Sequence, residues 1–437
     1  METQNDIRYT KYEIPFDFAQ GGEPVEPRTT NHHSRITTHQ YLRLLAMVLL
    51  LACFAAFTPK AWARYSGGTG EPNDPYKIAT AEDLNDIGNY EEDWDENFIL
   101  VNDVNLAQYT GTQFKIIGSQ TTKFTGVFDG NDHKILNFTW NSIGGSSFGL
   151  FRYLGGVGQI KNLGLENVDV NAVNGSYVGG LVGCNWYHGT ITNCYSTGSV
   201  SGPNYVGGLV GYNDYGSTIV NCYSAGKVLG NWDVGGLLAE NWAGTITDCY
   251  STSKVDGNER VGGLMGFNDG PIFSNCYSTG SVSGTTDVGG LVGYNGGPIT
   301  NCYSTGNVEG EDCVGGLVGN NSYRKITNCY STGNITGKED VGGLVGFCMA
   351  GGITDSFWDT ETSGLSISAG GTPKTTAEMK TKSTFTDAGW DFVEVWGIGE
   401  NQTYPFLLTD PTGDLNYDKK VDLIDLAILA SHWLEEK

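Results

Sequence analysis

The sequence predicts an all-β protein, a parallel β-helix with about 27 residues per coil, and three observations predict it. The 437 residues include 64 Gly, 23 Tyr and 18 Phe, with many Val, Thr and Asn and only 17% charged residues, which favours strands and tight turns over helices. The valine of a V-G-G-L motif returns at Val178, Val206, Val234, Val261, Val288, Val314 and Val341, in steps of 28, 28, 27, 27, 26 and 27. The run NCYSTG stands verbatim at 193–198, 275–280, 301–306 and 328–333, with NCYSAG at 221–226 and DCYSTS at 248–253. A unit this short cannot bury its own apolar face, so the units must stack.

Each unit reads V-G-G-L-[VLM]-[GA]-x-N, a variable turn, I-x-[ND]-C-Y-S, then a lone valine such as Val200, Val228, Val255, Val282 or Val308. None of its β-prone runs is long enough for a helix. Laid over one another, the units show columns. Val178 and Leu181 with their equivalents, and Ile191, Ile219, Ile246, Ile272, Ile299, Ile326 and Ile353, are aliphatic and are expected to face inward. Asn185, Asn213, Asn241, Asn268, Asn295 and Asn321 form a column whose amides can bond from coil to coil and tolerate left-handed backbone, with Cys348 in the last place. The paired glycines suit a bend where a side chain would strike the next coil or where φ must be positive.

Degenerate copies run upstream. Ile160-Lys161-Asn162-Leu163 matches Ile191-Thr192-Asn193-Cys194, and Ile135-Leu136-Asn137-Phe138 repeats the pattern earlier. The cysteine column then reads Phe138, Leu163, Cys194, Cys222, Cys249, Cys276, Cys302, Cys329 and Ser356, so the position calls for a buried apolar group. Zinc needs ligands at short clustered spacings, and in-register neighbours do not readily reach the disulfide dihedral near 90°. An unpaired buried ladder is therefore expected. Cys184, Cys313 and Cys348 lie off the column, and the odd count of nine cysteines after the leader leaves at least one free or intermolecular.

Residues 1–63 read as a precursor region: Arg35 and Arg43, the apolar run 44–57, then Ala61-Trp62-Ala63 before a mature start at Arg64. Leu50-Leu51-Ala52-Cys53 resembles a lipoprotein processing box but lacks the polar spacer. Residues 64–96 form the N-terminal cap, with a short amphipathic helix at 80–87, and 97–358 the β-helix. Residues 359–411 form the C-terminal cap, with a helix opening at Thr375 and Trp390, Phe392, Trp396, Tyr404 and Phe406 as an aromatic plug. Residues 412–437 are a separate tail.

The V-G-G-L-V-G units resemble the GLUG motif family, and F-T-G-V-F-D-G-N at 124–131 looks like its opening coil. The resemblance, with the general preference for right-handed crossovers, implies a right-handed helix. It also implies similarity to bacterial surface adhesins and to a non-catalytic region of immunoglobulin-cleaving metallopeptidases. The protease activity does not carry over, because the chain has no H-E-x-x-H motif. In the tail, Asp414, Asn416, Asp418, Asp422 and Asp425 fall at positions 1, 3, 5, 9 and 12 of an EF-hand-type calcium loop, with Lys420 at position 7, where the backbone carbonyl serves. The segment resembles a dockerin, although Lys419 replaces the turn glycine and only one segment is present. Calcium and a cohesin-like or sorting partner are what that resemblance implies.

Trp186, Tyr187, Asp214, Tyr215, Trp232 and Trp242 fall in the same or adjoining turns, as does His188. They are either a platform on which sugars stack or turn residues packing on their neighbours. Glu240 breaks the repeat beside Asp214 and Asp233, yet acids on an acidic solenoid are expected to be solvated. A net charge of −24 without basic stripes excludes nucleic acid and anionic membrane as partners. The reading is a secreted or cell-surface, non-enzymatic adhesion or recognition scaffold facing extracellular polysaccharide or a neighbouring cell. The alternative is a polysaccharide lyase, glycoside hydrolase or carbohydrate-binding component of a dockerin-mediated assembly.

Overall fold

The computed structural model describes residues 64–142 and 144–408. The segment read as an export signal, Cys53 and the tail read as a calcium loop lie outside the described residues.

Each coil has three sides. Residues leading into V-G-G form a parallel sheet of eight strands, from Gly145–Phe148 to Glu339–Gly342. After the bend, L-V-G-x-N forms a second parallel sheet of eight, from Phe151–Gly155 to Val345–Cys348. The I-x-N-C-Y-S and lone-valine stretches form the third side, within a 25-stranded sheet that begins at Tyr76–Ile78 and ends at Thr372–Lys374. Registration is strict. Val178 pairs with Val206, and the pairing continues through Val234, Val261, Val288, Val314 and Val341. Repeat length sets this register, because a slip of one residue would turn every inward side chain to solvent.

The aliphatic columns fill the interior. One expectation fails: Phe273 pairs with Ile246 and is buried, whereas Ile272 is 49% exposed. Pro271 lies in the turn just before, and Phe273 stands three residues before Cys276, the spacing that Ile246 keeps from Cys249. A second correction concerns Phe138. Leu163 pairs with Cys194 as expected, but Ile135 pairs with Leu165, so Phe138 lies beyond the cysteine column although it is buried. The early coils are longer there, with Phe128 opposite Ile160.

The two glycines of V-G-G act by size alone. Their φ values are ordinary, and a Cβ on Gly208 would sit 2.1 Å from Ser224 Oγ and 2.2 Å from the Gly236 carbonyl. Left-handed backbone falls instead on the residue before each V-G-G valine, from Tyr177 (φ 55°) through Arg260 (φ 52°) to Asp340 (φ 46°). A second left-handed column is the Asn or Asp before cysteine, including Asn193, Asn221 and Asp248. Asn and Asp tolerate this conformation best, which accounts for the N-C-Y-S consensus.

The Asn185 column forms a continuous buried ladder. Each Nδ2 donates to the Oδ1 of the next coil, at 2.8, 2.9, 3.1, 2.9 and 2.8 Å from Asn185 through to Asn321. It ends with Asn321 Nδ2 donating to Cys348 Sγ at 3.6 Å. Asn241 also donates to the Gly244 carbonyl. Asn241→Leu orphans the Asn213 amide and the Gly244 carbonyl, and is expected to cost about 2–4 kcal/mol, read as a lower urea midpoint.

The N-terminal helix spans Ala81–Ile87, capped by Thr80 in a capping box with Asp83, and buries Leu84 and Ile87 against the first coil. At the other end the described chain departs from the expected plug. Trp358 covers Gly343, and the segment through Ser368 and Ala369 bonds to Gly343 and Val345 to close the last coil. Trp390 and Trp396 instead form a second apolar cluster with Phe357, Phe385 and Tyr330 on the outside of the cysteine-bearing sheet. Tyr330 Oη donates to the Pro405 carbonyl at 2.5 Å, and Phe406 stays 45% exposed. The reason is alternation along N-C-Y-S: cysteine points in, so tyrosine must point out.

Candidate functional site

The outward tyrosines form a ladder that the sequence reading missed. Tyr195, Tyr223, Tyr250, Tyr277, Tyr303 and Tyr330 stack ring on ring, with centroids 4.7–5.0 Å apart and planes within 7°. Opposite them the cysteines are free, buried thiols. Each column thiol donates to the carbonyl two residues earlier, as Cys222 Sγ does to Val220 at 3.2 Å. Burial pushes Cys194, Cys249, Cys276 and Cys329 well above the ordinary thiol range. Off the column, burial raises Cys184 to about 12, and likewise Cys313. Iodoacetamide labelling mapped by mass spectrometry is expected to mark half-buried Cys348 in the native protein and the six column cysteines only after unfolding.

The predicted aromatic patch divides in two. Trp186, Tyr187 and Tyr215 form one pile: Trp186 lies 6.2 Å from Tyr187 at 8°, and Tyr187 lies 5.6 Å from Tyr215 at 18°. Trp232 and Trp242 belong elsewhere. Trp242 packs on Phe267 at 5.4 Å, and Phe267 stacks on Tyr294 at 5.6 Å and 12°. The Arg260 guanidinium sits 5.0 Å from the centroid of Trp232 and 5.1 Å from that of Phe267, held between the two rings.

Trp232, Arg260, Phe267 and Tyr294, but not Trp242, line a groove of about 760 Å³ on the outer surface. Four successive coils contribute to it: Trp232 from the first, Arg260 and Phe267 from the second, Asp287 and Tyr294 from the third, Tyr323 and Arg324 from the fourth. The columns explain the assembly. Arg260 and Asp287 stand before the V-G-G valines, and Phe267 and Tyr294 occupy the x of G-x-N on the adjoining sheet. Residues 27 apart in sequence thus become neighbours on one surface.

Buried acids hold the groove's floor in place. Arg260 Nη2 donates to Asp233 Oδ2 at 2.6 Å, and Asp233 is fully buried. Burial pushes the Asp233 carboxyl up to about 8, even with the opposing pull of Arg260. Glu240, 6% exposed, accepts a hydrogen bond from Trp242 Nε1, and burial raises its pKa. Asp214 is 2% exposed and accepts from the Tyr215 amide, so it is a turn-holding group rather than part of an open face. Burial raises it and Asp287 too, and Asp287 Oδ1 accepts from Asn320 Nδ2 at 3.0 Å. The expectation that Asp214, Asp233 and Glu240 are solvated is therefore corrected. All three lie in strands, and the Tyr215 amide, Arg260 and Trp242 Nε1 donate to Asp214, Asp233 and Glu240 in turn.

Comparison with known proteins matches the description "The GLUG motif" at 174–201, 202–229, 230–256, 257–283, 284–309 and 310–336. Six consecutive units of the chain thus match that motif. The seventh V-G-G-L, at Val341, completes a further coil beyond the matched residues. Part of the chain is 34% identical to halomucin from Haloquadratum walsbyi, over 31% of this chain and 2% of that protein. Another relative, provisionally described as a Gly-rich membrane protein from Evansella cellulosilytica, is 47% identical over 16% of this chain and 8% of its own length. The chain thus spans less than a tenth of each curated relative. A solved structure provisionally described as an immunoglobulin A1 protease from Bacteroides ovatus aligns with a TM-score of 0.47 at 23% identity, covering 80% of this chain and 96% of that one.

Proposed function

We propose that this protein is a secreted or cell-surface recognition scaffold that holds extracellular polysaccharide on its outer surface. The observation that carries the reading is the groove. Its exposed rings, Trp232 and Tyr323, stand in one lining with carboxylates and guanidiniums, the combination that suits an amphipathic, hydroxyl-rich ligand. The rest of the molecule is regular ladders, which favours display and reach over chemistry. Support for the location comes from the similarity to halomucin and to a relative described as a membrane protein.

Purified full chain is to be passed over a panel of immobilised polysaccharides, scoring retention and release of soluble product. Retention without product is the expected result. Product release would move the protein to the polysaccharide-cleaving class, and no retention on any glycan would refute the reading. For the tail, the proposal is calcium held by Asp414, Asn416, Asp418, Lys420 (through its carbonyl), Asp422 and Asp425, serving attachment to a cohesin-like or sorting partner. Calorimetry is expected to show calcium heat that Asp414→Ala abolishes; no heat from the unmutated chain would dismiss the loop.

A further inference from the structure

We infer that the groove takes a linear, uncharged glycan laid along the axis of the solenoid, each coil acting as one subsite. The inference rests on the reading of polysaccharide recognition and specifies its ligand. Two features carry it.

The first is periodicity. The groove draws on four coils, and an aromatic ring comes from each: Trp232, Phe267, Tyr294 and Tyr323. Parallel coils repeat at ~4.8 Å, so the first and last rungs lie roughly 15 Å apart. Phe267 and Tyr294 share one column, Trp232 stands on the adjoining sheet and Tyr323 in a turn, so a ligand that meets all four must extend along the axis, as a linear chain does and a compact ligand does not. Phe267 and Tyr294 stack on one another from coil to coil, 5.6 Å apart with planes at 12°, between Trp232 and Tyr323.

The second is charge. Both arginines of the groove are already engaged, Arg260 by Asp233 at 2.6 Å and Arg324 by Asp269 at 3.8 Å. Glu259 and Asp287 add two further carboxylates to the lining. With Glu259, Asp269 and Asp287 set against Arg260 and Arg324, the lining carries no excess of positive charge and each guanidinium already faces an acid, so nothing in it selects a uronate-rich chain. Hydroxyls, which both accept from Arg260 and donate to carboxylates, fit without desolvating a ligand charge. Arg260 is held in place, its Nη2 on Asp233 and its plane clamped between Trp232 and Phe267.

The test is titration of the full chain with cello- and xylo-oligosaccharides of two to six units, alongside oligogalacturonate and oligolysine. Affinity for the uncharged series is expected to rise with length and then level off once the four coils are covered. Trp232→Ala and Tyr294→Ala, each checked by circular dichroism and urea midpoint for an intact fold, are expected to weaken binding by about tenfold or more. Tyr187→Ala and Tyr215→Ala, on the separate aromatic pile, are expected to leave it unchanged. Preference for oligogalacturonate or oligolysine would overturn the inference, the latter pointing to a cationic peptide partner. Binding of uncharged chains that survives both groove variants would overturn the groove while leaving polysaccharide recognition standing. No binding by any glycan would overturn both.

Discussion

The stability of the protein is expected to fall between about pH 5 and pH 8, and Asp233→Asn is expected to flatten most of that slope. Asp233 is fully buried, and burial lifts its carboxyl from the ordinary 3.8 to about 8. A folded pKa above the unfolded one means that the native state holds a proton which the unfolded chain releases near pH 4. The stabilising contribution is thus complete below 3.8 and is lost as pH rises through about 8. The slope from one such group reaches ~1.4 kcal/mol per pH unit at most. Asp214, Glu240 and Asp287 are raised by burial as well and add in the same direction. Asparagine keeps the acceptor that Arg260 needs and has nothing to titrate. Urea unfolding followed by tryptophan fluorescence at several pH values measures it, and stability that climbs with pH across this window would contradict the assignment.

A side chain at the bend is expected to be worse tolerated than any change on the surface. A Cβ on Gly236 would lie 2.0 Å from the Gly263 carbonyl of the next coil and 2.1 Å from Ser251 Oγ, both within the packed wall. Neither can retreat without breaking the register that joins Val234 to Val261. Gly236→Val is therefore expected to cost at least ~3 kcal/mol and to remove most soluble protein. Gly144→Ala is the control, since Gly144 has open space around it and no positive φ. Equal solubility and equal urea midpoints for the two variants would show that the bend has room.

Much of the fold was legible because a solenoid writes its geometry as a period. Seven valines at near-constant steps gave the coil, the register and the inward columns, and the cysteine's place beside Leu163 gave its burial. What slipped was local phase. Ile272 was assigned inward because isoleucine occupies that column elsewhere, but the fixed three-residue spacing to cysteine points to Phe273. Phe138 was misplaced because the early coils run longer than 27 residues.

The site was less legible for a different reason. Trp232 and Trp242 were selected as aromatics in turns, yet Arg260, Phe267 and Tyr294 went unremarked because their motifs look ordinary one unit at a time. Reading down the x of G-x-N gives Tyr212, Glu240, Phe267, Tyr294 and Asn320, and down the residue before valine gives Tyr205, Asp233, Arg260, Asp287 and Cys313. Those two columns adjoin in the fold and supply Arg260, Phe267, Asp287 and Tyr294 to the groove. The tyrosine ladder was present in every N-C-Y-S, and only alternation along the strand was needed to see it. Burial of Asp214 and Glu240 had no comparable signal, since it depends on which side chains of neighbouring coils pack over them.

The most direct measurement of the central claim is a crystal structure of the protein with a retained uncharged oligosaccharide. Density running along the solenoid axis over Phe267 and Tyr294, flanked by Trp232 and Tyr323, is the predicted result. Density on the Trp186, Tyr187 and Tyr215 pile, or on the outward tyrosine ladder, with the groove bare, would contradict it.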